Sequence, residues 1–91
     1  MTDPAAVTRK RLAIRAWRRG TREMDLVLGP YADARLSGMD AAALAAFEAL
    51  LSEDDHDIRL WVTGASAAPP RHAGLVADLA GFAANRHHAA R

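Results

Sequence analysis

The sequence predicts an all-α protein, a small bundle of about five helices in a single domain spanning residues 1–91. Three observations lead there. Apolar residues recur three and four positions apart in successive segments, and residues suited to helix caps punctuate those segments. No alternating run of β-branched residues occurs anywhere, and there are no internal repeats. Alanine supplies much of the 51% hydrophobic content while aromatics make up only 5%. The core is therefore thin, and it relies on close approach of alanine-rich helices.

Asp3-Pro4 starts the first helix, with Asp as N-cap and Pro at the first helical position, where its missing N–H costs nothing. Val7, Leu12, Ile14 and Trp17 recur along it with Ala13 and Ala16. Gly20 ends this helix or caps the next. If Gly20 is the N-cap, Glu23 stands at N3, where its carboxylate reaches back to the capping amide. The second helix carries Met24, Val27, Leu28 and Tyr31, and Gly29-Pro30 predicts a kink or break within it. It continues through Leu36, and Ser37-Gly38 terminates it.

Met39, Asp40 and Leu44 form the pattern of a hydrophobic staple around an Asp N-cap, opening a third helix with the stripe Leu44, Phe47, Leu50 and Leu51. Residues 52–55 are an acidic joint. Asp54 or Asp55 caps a short fourth helix holding Ile58, Trp61 and Val62, which Gly64 ends. Residues 65–70 read as a linker. A last helix over about 71–86 bears Leu75, Val76, Leu79 and Phe82, with fraying expected from Asn85 to Arg91. Trp17 and Trp61 read as core residues.

The net charge of +1 conceals an asymmetry. Residues 1–22 hold seven basic side chains and one acid, a balance of +6, whereas residues 23–57 balance at −8 and residues 58–91 at +3. Such a split implies either pairing of the first helix with the middle of the chain or a basic face kept for a partner. The run Arg9, Lys10, Arg11, Arg15, Arg18, Arg19 and Arg22 also defines the alternative reading, a small nucleic-acid-binding or regulatory helical protein. Only Trp17 is interleaved for stacking, and no basic recognition helix follows, so that reading ranks second.

Several chemistries have no residues to carry them. The chain has no cysteine, which excludes disulfides, thiolate nucleophiles and Cys-ligated metals. His56, His72, His87 and His88 lack ligand spacing, and Glu53, Asp54, Asp55 and Asp57 lack the order of a calcium loop. No metal is expected. No Ser/His/Asp set or carboxylate pair suggests an enzyme. No apolar stretch approaches the ~20 residues of a membrane span. The Ala/Arg-rich start resembles a transit segment, but the motif below follows it closely, so the expectation is a cytoplasmic chain acting as a monomer.

That motif is RRGTREMD at residues 18–25. Arg19, Gly20 and Glu23 form an RGxxE pattern at a helix–helix corner, with Arg18 and Arg22 beside them and Asp25 following. Each residue has an ordinary reading, with Gly20 as a terminator, Glu23 as a capping residue and Arg19 as a solvated charge. Together they describe a presented surface. RRGTREMDLVL, the acidic EDD joint and Trp61 downstream resemble the SdhE family, the FAD assembly factors of succinate dehydrogenase, over roughly residues 9–64. His56 departs from the family pattern, where a proline often begins the short fourth helix, and the Ala41–Ala46 stretch is plainer than usual.

The resemblance implies a helical bundle that binds the flavoprotein subunit of succinate dehydrogenase or fumarate reductase. It further implies that the protein promotes covalent attachment of FAD to a histidine of that subunit, the FAD belonging to the partner. Arg19, Gly20 and Glu23 are the implied contact residues, with Arg18, Arg22 and Asp25 alongside. On that expectation Arg19 makes a bidentate bond to a partner carboxylate.

Overall fold

Five α-helices make up the computed structural model, which describes the backbone of residues 3–89 and the side chains of residues 3–85. They are α1 (Pro4–Trp17), α2 (Arg22–Arg35), α3 (Ala41–Leu51), α4 (Asp55–Thr63) and α5 (Pro70–Ala89), with a 3-10 turn (Leu36–Gly38) after α2. The helix starts follow the capping chemistry in the sequence. Asp3 accepts the Ala5 N–H at 3.0 Å, Asp40 that of Ala43 at 2.8 Å and Asp54 that of His56 at 2.9 Å. Gly64 closes α4 in the left-handed conformation, with φ of 83°.

The helices pack α1 along α2, set α3 and α5 across them, and hold the short α4 against α5. Leu12, Leu28, Tyr31, Phe47, Leu50, Ile58 and Leu79 form the fully buried centre. Each large aliphatic or aromatic side chain buried there contributes about 1.5–3 kcal/mol relative to exposure. Tyr31 meets Phe47 and Phe82 at ring distances of 5.9 and 5.5 Å, so the few aromatics touch one another. The Tyr31 hydroxyl donates to Asp78 Oδ2 at 2.6 Å, which ties α2 to α5; burial, then that hydrogen bond, pushes the phenol pKa well up.

The structure departs from expectation at four places. Gly20 is not the N-cap of α2. Thr21 is, its hydroxyl accepting from Met24 N–H, so Glu23 falls at N2 and does not close a capping box. No break occurs at Gly29-Pro30, since α2 runs uninterrupted through Pro30. Met24, Leu28, Tyr31 and Ala32 are buried on both sides of the proline, and that packing outweighs its local cost of about 3 kcal/mol. The last helix begins at Pro70 and extends to Ala89 instead of fraying from Asn85; residues 90 and 91 lie outside the described residues.

The fourth departure concerns Trp17. It is not a core residue but remains 38% exposed. Its indole lies flat across Gly29 and donates through Nε1 to Asp33 at 3.1 Å. A Cβ at position 29 would fall inside the van der Waals envelope of the ring. Gly29 thus serves a close approach of side chain to helix, and the α1–α2 pair closes on it.

Gly29→Ala is expected to lower stability by about 1–3 kcal/mol through overpacking, although alanine is the better helix former. In a Trp17→Ala background the same change should be neutral or stabilising. Urea denaturation of the four proteins in the cycle checks both signs.

Candidate functional site

The RGxxE corner is built by the way α1 ends and α2 begins. Arg18 caps α1, its N–H bonding to the Arg15 carbonyl at 3.2 Å. The chain then turns at Gly20 with φ of 102°, a conformation that strains any L residue. Nothing lies within 4 Å of where a Cβ on Gly20 would stand. The glycine is required by its backbone, while the space in front of it is open.

Arg19 points the other way. Its side chain is only 10% exposed and grips the joint between α3 and α4. Nε donates to Asp55 Oδ1 at 2.6 Å, Nη2 to the Glu53 carbonyl at 2.9 Å, and Nη1 to the Leu51 carbonyl. The Arg19 N–H donates in turn to Asp25 Oδ1 at 2.6 Å. Leu51 and Glu53 supply carbonyls from the end of α3, acceptors that every helix C-terminus leaves open. The planar guanidinium meets two of them and a carboxylate at once, which a lysine ammonium cannot do. Arg19 and Asp25 therefore set the shape of the corner from inside.

Arg18, Gly20, Arg22 and Glu23 are exposed. Glu23 pairs with Arg59 at 3.2 Å, two side chains each more than half exposed, and such a pair contributes little and exchanges readily. Among the described residues, Lys10, Arg18 and Arg22 have no ion-pair partner. The rest of the basic run is engaged. Arg9 donates to the Leu36 and Met39 carbonyls at 2.9 and 2.8 Å, and Arg11 pairs with Glu48 at 2.6 Å, with Arg15 at 3.7 Å from the same carboxylate. The hydrogen bond from Arg11, outweighing the desolvation that pushes the other way, holds the Glu48 carboxyl below its ordinary value. Internal pairing with the acidic middle accounts for Arg11 and Arg15 on the first helix, which share Glu48, and for Arg19 at the corner.

One cluster has no counterpart in the sequence reading. Glu53 accepts from Arg71 Nη2 at 2.8 Å and meets His72 Nε2 at 2.7 Å, while the His72 ring, 3% exposed, lies against Trp61 at 5.7 Å. Arg71, then His72, holds the Glu53 carboxyl below its ordinary 4.5. A single joint thus receives Arg19 from the corner through its backbone and α5 through its side chain. No spacing rule links residue 53 to residue 72; the only hint was that a histidine in the first turn of a helix stood near an acidic run in charge, not in sequence.

No helix among the described residues is long and apolar enough to cross a membrane, and no group of three or more His, Asp or Glu among them is arranged to hold a metal. The fold and its corner define a small helical protein with an exposed turn held from within. The chain belongs to the family described as flavinator of succinate dehydrogenase, whose model matches residues 10–83. That family consists of assembly factors and not of enzymes.

Similar curated relatives agree. The succinate dehydrogenase assembly factor 2 of Schizosaccharomyces japonicus is 39% identical over 67% of this chain and 43% of its own. The FAD assembly factor SdhE of Acetobacter pasteurianus is 34% identical over 78% of this chain and 65% of its own. The mitochondrial assembly factor 2 of Drosophila grimshawi is 29% identical over 85% of this chain and 54% of its own. The chain spans about half the length of these two mitochondrial relatives and less of several others.

Arg19→Lys is expected to cost about 1.5–3 kcal/mol despite keeping the charge, because the carbonyls of Leu51 and Glu53 lose their fork. Chemical denaturation checks the loss, and amide exchange at residues 51–55 should accelerate with it. A second expectation concerns acid. A carboxyl held below 4.5 in the fold adds stability above that value and loses it as pH falls through the folded value. The stability difference between the wild type and Glu53→Gln should therefore shrink as pH drops below 4.5, measured by urea midpoints from neutral pH downward.

Proposed function

We propose that this protein binds the flavoprotein subunit of succinate dehydrogenase or fumarate reductase and promotes covalent attachment of FAD to a histidine of that subunit. The FAD belongs to the flavoprotein. The helical protein works as a cytoplasmic monomer, without metal, and contributes no reacting group. The observation that carries this reading is the exposed corner of Arg18, Gly20, Arg22 and Glu23, fixed from beneath by Arg19 and Asp25, in a chain of this family.

Forming a flavin–histidine bond requires the ring held against its nucleophile and the charge developing on the flavin stabilised. A factor that binds one conformation of the flavoprotein more tightly raises the population of that conformation, and by no more than its differential affinity. A rigid corner suits this role because little ordering entropy is lost on docking. Gly20 lets the partner backbone approach closely. The exposed Glu23–Arg59 pair can exchange its weak internal contact for a basic group on the partner.

The test is in-gel flavin fluorescence of the denatured flavoprotein, made in cells lacking their own factor and supplied with wild type or variants. Gly20→Arg should abolish the covalent signal, because it fills the open space in front of the corner. Gly20→Ala strains the same backbone without filling that space, so it should lower stability by about 1–3 kcal/mol and retain much more signal. Glu23→Ala should reduce the signal with little effect on folding. Equal fluorescence in every lane sinks the proposal.

A further inference from the structure

Every large hydrophobic side chain that is exposed among the described residues lies on α1 or in the first two turns of α2: Val7 at 51%, Ile14 at 46%, Trp17 at 38% and Leu26 at 48%. Their spacing places them together. Leu12 and Ala16 turn inward from α1, Val7 and Ile14, seven residues apart, occupy the opposite side, and Trp17, three residues on, turns toward α2. The Trp17 indole crosses onto α2 over Gly29, and Leu26 stands one turn before Gly29 on the same face. The result is a strip of four apolar side chains running from the start of α1 to the corner. Beside Val7 and Ile14 it dips into a depression of about 490 Å³ lined also by Lys10, Arg11 and Arg15.

Cations predominate along the rim of the strip, where Asp33, bonded to the Trp17 indole, is the acid. Lys10 lies between Val7 and Ile14, Arg18 follows Ile14 by one turn, and Arg22 precedes Leu26 by one turn. None of these three has an ion-pair partner among the described residues, and unlike Arg9, which donates to the Leu36 and Met39 carbonyls, none is engaged through its side chain by a hydrogen bond to the rest of the fold. Arg11 and Arg15, which also line the depression, are held by Glu48 on α3, so the free charge beside the strip comes from Lys10, Arg18 and Arg22.

We propose that this strip is a docking surface for an apolar protein groove edged by Asp and Glu side chains, and that the groove lies on the flavoprotein next to the site that meets the corner. The proposal rests on the function proposed above and extends its contact surface from the corner along α1. Charge complementarity selects the occupant. A second copy of this chain would bring one strip's rim of Lys10, Arg18 and Arg22 against the other's, with Asp33 as the acid beside it, a predominantly like-charge contact. A nucleic acid would use the cations and leave the four apolar side chains uncovered. An acidic, apolar groove satisfies both parts, with the aliphatic and indole groups as buried anchors and the charges at the edge.

The experiment is calorimetric titration of the full chain into purified FAD-free succinate dehydrogenase flavoprotein subunit, using wild type, Ile14→Ser, Leu26→Ser and Lys10→Glu. All three positions are exposed, so thermal midpoints should stay near wild type. Each serine variant is expected to weaken binding by about tenfold, the scale of a lost apolar anchor, and Lys10→Glu to weaken it more at low salt than at high. Wild type that binds while all variants bind equally well overturns the strip alone and leaves the assembly reading standing. Wild type that fails to bind overturns both. Two companion measurements close the other routes. Loss of binding to vesicles containing anionic phospholipid in the serine variants, with flavoprotein binding intact, would make the occupant a membrane. A concentration-dependent dimer in sedimentation, abolished by Ile14→Ser, would make it a second copy; either result overturns the proposal.

Discussion

The corner depends on one guanidinium. Arg19 leaves an exposed turn, passes under it and closes on two carbonyls and a carboxylate of the α3–α4 joint. A helix C-terminus is electrically negative and short of donors, so the joint and the arginine complete each other. The same joint holds α5 through Glu53, Arg71 and His72. Through this arrangement a short, strained turn keeps one shape in a bundle whose core is thin. The burial of the arginine is also what makes its neighbours available, because its own charge is answered inside.

The protein separates positioning from presentation within eight residues of sequence. Arg19 and Asp25 bond inward, whereas Arg18, Gly20, Arg22 and Glu23 remain at the surface. Gly20 serves both purposes, with a backbone only glycine adopts easily and an open space before it. The electrostatics follow the same division. Contacts that shape the fold are partly buried and short, and those left at the surface are exposed and weakly held, which suits groups that must change partners.

Much of the fold was legible because it is written in local chemistry. Asp3, Asp40, Asp54 and Gly64 act as the caps their types suggest, and the stripes of α3 and α5 point into the core. The charge asymmetry left internal pairing and a basic face for a partner both open, and Arg11, Arg15 and Arg19 take the first course. The RGxxE corner was visible as a motif at a helix junction. What stayed hidden depends on contacts between distant residues. Arg19 read as a solvated charge or a partner contact because nothing local links it to Leu51, Glu53 or Asp55. Gly29-Pro30 read as a break because a glycine before a proline is a local breaker signal; only the indole twelve residues earlier explains the glycine. Gly20 stood open as the end of one helix or the cap of the next because the RGxxE spacing also fits a capping box; the N-cap is Thr21, and Gly20 makes the turn before it.

The acceptors that α1 uses lie far along the chain. Arg9, Arg11 and Arg19 reach partners 27 to 37 residues downstream. During synthesis, then, the first helix and its turn leave the ribosome well before anything exists to hold them. The corner acquires its shape only when residue 55 has emerged and the α3–α4 joint has closed on Arg19. A nascent or truncated chain carries the whole motif in its sequence and yet lacks the contacts that shape it, so the geometry of the corner reports that the bundle has finished folding.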